Sequence, residues 1–172
     1  GILDKYIGDA IMAVFGVPFG SPVDSDNAVK TSICMIQALQ EFNAKRKSKG
    51  LETINIGVGI NTGEVVSGNI GSNKRMDYTV IGDGVNLAAR LEGATKMYKT
   101  PILLSSETLK TLTIDFSIRE LDWIRVKGKD QPVAIYELLD ALDKSKQHLI
   151  KENVDIFTSG LDLYRNRQWG PA

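Results

Sequence analysis

The chain has 172 residues, 42% hydrophobic and 24% charged, which is enough for one domain with a real core plus a tail but short for two domains. Lys and Arg together number 21 and so do Asp and Glu, so no global basic field favours nucleic acid or an anionic membrane, and any phosphate site must be local. The single cysteine, Cys34, excludes an internal disulfide or a Cys-rich zinc site, and no stretch has the length of a membrane span or the layout of a signal peptide. A cytoplasmic location is expected, with a membrane anchor elsewhere in a longer parent left open.

The opening GILDKYIGDAIMAVFG has two apolar stretches broken at Gly8-Asp9, a turn dipeptide, and reads as a β-hairpin with Asp9 at its tip. In the following segment Ser25 or Asp26 is a candidate N-cap, and Val29, Ile33, Ile36 and Leu39 recur at helical spacing, so a helix is expected that packs on a sheet and stops by Gly50. TINIGVGINTG and EVVSGNIG read as a second hairpin joined at Gly63-Glu64, its glycines suggesting close backbone approach. YTVIG is a short strand. Asp83 then caps a helix from about Gly84 to Tyr98, and Thr100-Pro101 introduces the strand ILLS. FSIRELDWIRVKG and QPVAIYELL complete the sheet around the turn KGKD.

From Asp140 the texture becomes a charged helix with Leu142, Leu149, Ile156 and Leu163 at intervals of seven, which fits either a coiled-coil seam or one buried face. The end, GLDLYRNRQWGPA, has the spacing of the beginning of a tetratricopeptide-like repeat, cut off mid-motif. The expected division is residues 1–139 as the main domain, 140–155 as a linker helix and 156–172 as the start of the repeat. The repeat would recruit a protein partner, and the ends suggest a piece of a longer protein.

Four places put polar groups where strands and helices meet: Lys5 with Asp9, Thr79, Asn86 with Arg90, and Lys127. Singly, each has an ordinary explanation in turn chemistry or solvated surface charge. Together they carry more weight. Asn86 and Arg90 are four apart and share a helix face, with Val85, Ala88 and Ala89 expected on the packing side, so the pair can point at an anion. GNIGSNK lacks the spacing of a P-loop, and GVGINTG lacks the third glycine and the helix of a dinucleotide fingerprint. The only histidine, His148, lies in the tail, which argues against a Ser-His-Asp hydrolase.

LDKYIGDAIMAVFG, GVGINTGEVVSGNIGS and DYTVIGDGVNLAARLE, in that order over about residues 1–139, resemble the catalytic domain of class III adenylate/guanylate cyclases. The resemblance implies a ferredoxin-like α/β sandwich (an α+β layered fold) that works as a head-to-tail homodimer with sites between the subunits. It implies synthesis of a cyclic nucleotide from a nucleoside triphosphate, with two Mg2+ or Mn2+ ions per site. It further implies that Asp9 is one of two metal-binding aspartates, that Lys5 and Thr79 read the base, that Asn86 and Arg90 stabilise the transition state, and that Lys127 holds the terminal phosphates. Lys5 and Asp9 would then share a hairpin yet serve different active sites of one dimer.

The chemistry of these residue types agrees with those roles. Cyclisation sends the ribose 3′-hydroxyl against the α-phosphate and expels pyrophosphate, which needs metal ions and fixed positive donors where charge builds. Arg90 can grip phosphate oxygens through its planar fork, Lys127 acts as a point charge, and neutral Asn86 can orient the ribose. Lys5 can donate to adenine N1 and the Thr79 hydroxyl can accept from the 6-amino group, whereas guanine reverses both edges, so ATP is the expected substrate. The exclusion of GTP is imperfect because a hydroxyl both donates and accepts.

The resembling family begins with a strand and helices bearing an Asp-Ile-x-x-Phe-Thr type motif that supplies the other metal aspartate, and the first residues here match the motif that follows it. The expected fold therefore lacks its first strand and helices, and the fragment alone is expected to be inactive. Two alternatives stand beside the ATP reading: a catalytically inactive dimerisation or regulatory module, and a guanylate cyclase using GTP.

Overall fold

A computed structural model describes residues 1–72, 75–125, 132–142 and 144–170. The expected turn KGKD, with Lys127, and Ala172 at the end of the repeat-like segment lie outside the described residues.

The chain opens as the hairpin read from its sequence: β1 (Ile2–Ile7) pairs antiparallel with β2 (Ala10–Val14) across Gly8-Asp9, and Gly8 takes φ 64°, a conformation glycine adopts without strain. The helix α1 (Asp24–Ser48) follows, with Val29 and Ile36 buried. Neither expected cap residue caps it. Val23 holds the N-cap position without a side-chain bond, and Asp26 lies inside the first turn, where its carboxylate instead accepts from the Thr113 backbone N–H at 2.9 Å and from the Thr113 hydroxyl.

The second hairpin is not the one expected. β3 (Val58–Ile60) pairs parallel with β6 (Ile102–Ser105), while β4 (Val66–Ser72) pairs antiparallel with β5 (Arg75–Ile81), so YTVIG is the end of a seven-residue strand. The reason lies in the glycines: a Cβ at Gly57 would strike Thr95, and one at Gly59 would strike the backbone of Ala88 and Glu92. These positions are bare so that α2 (Asp83–Tyr98) can lie directly on β3. The chain then turns away after β3 instead of doubling back.

After β6 come a short helix α3 (Ser106–Thr111), capped by Ser105 accepting from the Thr108 N–H, and the antiparallel pair β7 (Ile118–Ile124) and β8 (Val133–Leu138). The strand order β3-β6-β8-β7 makes one mixed four-stranded sheet beside the two-stranded sheets β1-β2 and β4-β5, a mixed α+β architecture. Successive residues of β6 face opposite ways. Ile102 and Leu104 join Val29 and Ile36 of α1 in one cluster, while Leu103 joins Leu87 and Leu91 of α2 in another. The sheet is thus covered on both faces.

A 3-10 turn (Leu139–Ala141) leads to α4 (Lys144–Arg165), one helix that runs through the boundary expected at 155/156. Leu149 and Ile156, two of the residues at intervals of seven, are 62% and 71% exposed, so that stripe is not the face laid on the domain. Contact is made instead by Arg165, which pairs with Glu120 and stacks 4.5 Å above Trp123, and by Phe157 beneath the Arg119 guanidinium.

Candidate active site

Lys5 lies in β1 and Thr79 in β5, on different two-stranded sheets, and a third residue brings them together. The Thr79 hydroxyl donates to Asp4 Oδ2 at 2.8 Å, across 75 positions of sequence, and Lys5 Nζ stands 3.5 Å from the same oxygen. Thr79 is buried, and the Lys5 side chain remains 40% exposed.

Asp9 is exposed at the tip of the β1-β2 turn, beyond the end of the strand that carries Lys5. Among the described residues no group of three His, Cys, Asp or Glu side chains could hold a metal ion, and Asp9 stands in no such group.

Asn86 and Arg90 occupy the first half of α2, one turn apart and both exposed. The buried side of this helix is made by Leu87, Leu91 and Thr95, with Val85 and Ala88 half-buried. Ala89, expected to pack, is exposed because it falls outside that stripe. Asp83 does not cap the helix: it is the first helical residue, and the N-cap is Gly82, with no side-chain bond. The helix start is anchored from below. Asn61, at the end of β3, donates through Nδ2 to the Gly84 carbonyl at 3.0 Å and accepts from the Ser105 hydroxyl at 2.7 Å. This fastens the turn before Asn86 to the centre of the sheet.

Lys127 lies outside the described residues. Asp4 is the residue that sequence reasoning missed. Neighbours along a strand point to opposite faces, so a carboxylate next to Lys5 gives no sign of sharing its partner.

A cleft of about 540 Å³ opens between α1, the start of α4 and the Arg119–Glu137 ion pair, whose N–O distance is 2.6 Å, and none of Lys5, Asp9, Thr79, Asn86 and Arg90 lines it. At its edge Tyr98 donates to Asp122 at 2.7 Å, and burial followed by that hydrogen bond pushes its phenol up to about 12.

A mixed α+β domain thus brings Lys5 and Thr79 from two hairpins to one carboxylate and carries an exposed Asn/Arg pair on a helix. Comparison with known proteins gives the family. The family description "Adenylate and Guanylate cyclase catalytic domain" matches residues 5–151. An adenylate cyclase of Anabaena cylindrica is 44% identical over 145 residues, which cover 80% of this chain and 28% of that protein. Among solved structures, the guanylyl cyclase Cya2 superposes with a TM-score of 0.72 at 37% identity, covering 84% of this chain and 72% of that one. The adenylyl cyclase CyaB from P. aeruginosa superposes with a TM-score of 0.70 at 36% identity, covering 79% and 70%. The chain belongs to the adenylate and guanylate cyclase catalytic domain family. It spans less than a third of the Anabaena relative, and its structural neighbours include cyclases named for either base, so base choice has to be argued from the site.

Proposed function

We propose that this domain converts ATP to 3′,5′-cyclic AMP and pyrophosphate, at a site completed by a second copy of the chain, as an intracellular signalling enzyme of the cytoplasm, where its substrate is found. The observation that carries the reading is the meeting of Lys5 and Thr79 at one buried carboxylate, on the strands where adenine would be read. An ammonium suits adenine N1, and a hydroxyl lone pair suits the 6-amino group. Asn86 orients the ribose, and Arg90 neutralises charge on the α-phosphate as the 3′-oxygen attacks and pyrophosphate leaves. Lys127 is assigned to the terminal phosphates on the family resemblance.

Asp9 is the residue of this chain suited to hold a divalent cation; Mg2+ or Mn2+ there would acidify the 3′-hydroxyl and offset phosphate charge. One carboxylate does not make a two-ion site. The remaining ligand is assigned to a strand outside these residues. Among the described residues β3 pairs only with β6 and β2 only with β1, so each is an edge strand with one side open.

Two features support a second copy. Asp9, Asn86 and Arg90 are exposed, and the hairpins expose apolar side chains that one chain does not cover, among them Tyr6 at 69% and Val66 at 66%. The α4 stripe of Leu149 and Ile156 gives a further surface for a protein partner.

The inactive-module alternative has one observation in its favour, the absence of a three-ligand acidic cluster among the described residues. Incubation of the full-length protein with ATP or GTP and magnesium or manganese decides between them. Cyclic AMP in excess over cyclic GMP is expected. Formation of neither product overturns the enzymatic reading, and an excess of cyclic GMP overturns the base assignment.

A further inference from the structure

The strand β1 is irregular at the point where the site begins. Its register against β2 passes from Leu3 opposite Ala13 to Lys5 opposite Met12, which leaves Asp4 as the extra residue of a β-bulge. Bulges re-aim side chains. Here the result is that Asp4 and Lys5, neighbours in sequence, form an ion pair instead of facing opposite sides of the strand. The Asp4 side chain is 5% exposed, and its Oδ2 takes both the Thr79 hydroxyl at 2.8 Å and the Lys5 ammonium at 3.5 Å.

A carboxylate has lone pairs and no proton to give, so the hydrogen in the Asp4–Thr79 bond is the threonine's own. Once committed to Asp4, the hydroxyl offers only lone pairs to anything beyond it. Lys5 has three N–H donors and keeps others after its contact with Asp4.

We propose that Asp4 is a specificity-determining positioning residue, which turns the ambivalent Thr79 hydroxyl into an acceptor and so commits the site to a purine edge that donates. The 6-amino group of adenine is such an edge, and O6 of guanine is not. The inference rests on the reading of Lys5 and Thr79 as base readers. It removes the weakness of a bare threonine, which could serve either purine by rotating its hydroxyl.

The test measures kcat/KM for ATP and for GTP on each preparation of the full-length protein, as wild type, Asp4→Val, Asp4→Asn, Thr79→Val and the Asp4→Val/Thr79→Val double variant. The readout is the ATP-to-GTP ratio, which partial misfolding leaves unchanged because it lowers both rates together. Asp4→Val is expected to lower the ratio about tenfold, the worth of one hydrogen bond whose polarity is no longer fixed. Asp4→Asn keeps an acceptor oxygen, so its ratio should fall less, by about threefold. If Asp4→Val does not fold, the asparagine variant carries the test. In the Thr79→Val background, Asp4→Val should change the ratio less than about twofold, because the hydroxyl it orients is gone. A wild type that prefers ATP, with the ratio unchanged in the Asp4 variants, overturns the role of Asp4 and leaves the proposed function standing. An equal fall with and without the Thr79 hydroxyl also overturns it, since Asp4 would then act through Lys5. A wild type that prefers GTP, or makes neither product, overturns the function and this inference with it.

Discussion

The four-stranded sheet and the two hairpins beside it are built from the same kinds of residue and end in opposite states. In the sheet, Ile102, Leu103, Leu104, Ile135 and Leu138 are all 0% exposed, covered by α1 on one face and α2 on the other. On the hairpins, Leu3, Tyr6, Ile7, Val66, Met76 and Ile81 each remain about half exposed or more, although two-stranded sheets are marginal by themselves. The chain therefore completes its own core and leaves incomplete the side that carries Lys5, Asp9 and Thr79. On the proposed reading, stability and chemistry lie on different parts of the molecule, and the exposed hairpins are where a second copy would contribute.

The contrast can be broken first at the core. Leu103→Ala leaves a cavity between the sheet and α2 and should cost about 2–5 kcal/mol, whereas Tyr6→Ser should shift the stability of a monomer by no more than about 0.5 kcal/mol. Urea unfolding measures both, and equal losses would erase the distinction. Asn61 ties β6 of the sheet to the start of α2, the helix that carries Asn86 and Arg90. Asn61→Ala should cost about 1–2 kcal/mol in the same experiment, since it removes the hydrogen bonds to the Gly84 carbonyl and from the Ser105 hydroxyl, although the latter keeps Thr108 as a partner.

Much of this contrast was legible in the sequence. Gly8-Asp9 marked the first hairpin, helical spacing gave α1 and α2 nearly to their ends, and the apolar run ILLS marked the central strand β6. What could not be read is pairing at a distance. GVGI looks like one arm of a hairpin because its glycines suggest a turn, and only the position of α2 explains them. Asp4 was invisible for a related reason: a bulge is set by how two strands meet, and the alternation rule assigns its side chain to the wrong face. The heptad spacing in the tail left two readings open; Leu149 and Ile156 are exposed while Leu142 and Leu163 are half-buried, so the stripe as a whole makes no buried face on this chain.

A smaller effect should appear in acid. The Thr113 hydroxyl, the main cause, and the Thr113 and Ile114 backbone N–H groups together hold the Asp26 carboxyl below its ordinary value of 3.8, against the opposing effect of burial. With the folded value lowered, the stabilisation is complete above the ordinary value and is lost as the pH falls through the folded one. The gap in urea midpoint between wild type and Asp26→Asn should therefore narrow toward low pH, and a gap that widened would contradict the sign. The smallest effect is expected at the α4 clasp. Arg165→Ala removes a partly exposed ion pair with Glu120 and the stack on Trp123 and should cost about 1 kcal/mol or less, with little change in the thermal midpoint of the sheet.

The claim that the hairpin side is completed by a second copy has a direct test in subunit complementation. On the proposed reading Asp9 belongs to the contribution of one copy and Arg90 to that of the other, so Asp9→Ala and Arg90→Ala homodimers each have both sites damaged, and each should lose about 100-fold or more in turnover while remaining folded by circular dichroism. Mixed and allowed to exchange, the two full-length variants form heterodimers in which both lesions fall in one site and the other site is intact. Random pairing makes about half the dimers mixed, each with one working site of two, so cyclic AMP formation should return to roughly a quarter of wild type. Activity that stays at the level of the single variants, with exchange demonstrated by differently tagged subunits, would show that these residues act within one chain and would contradict the shared site.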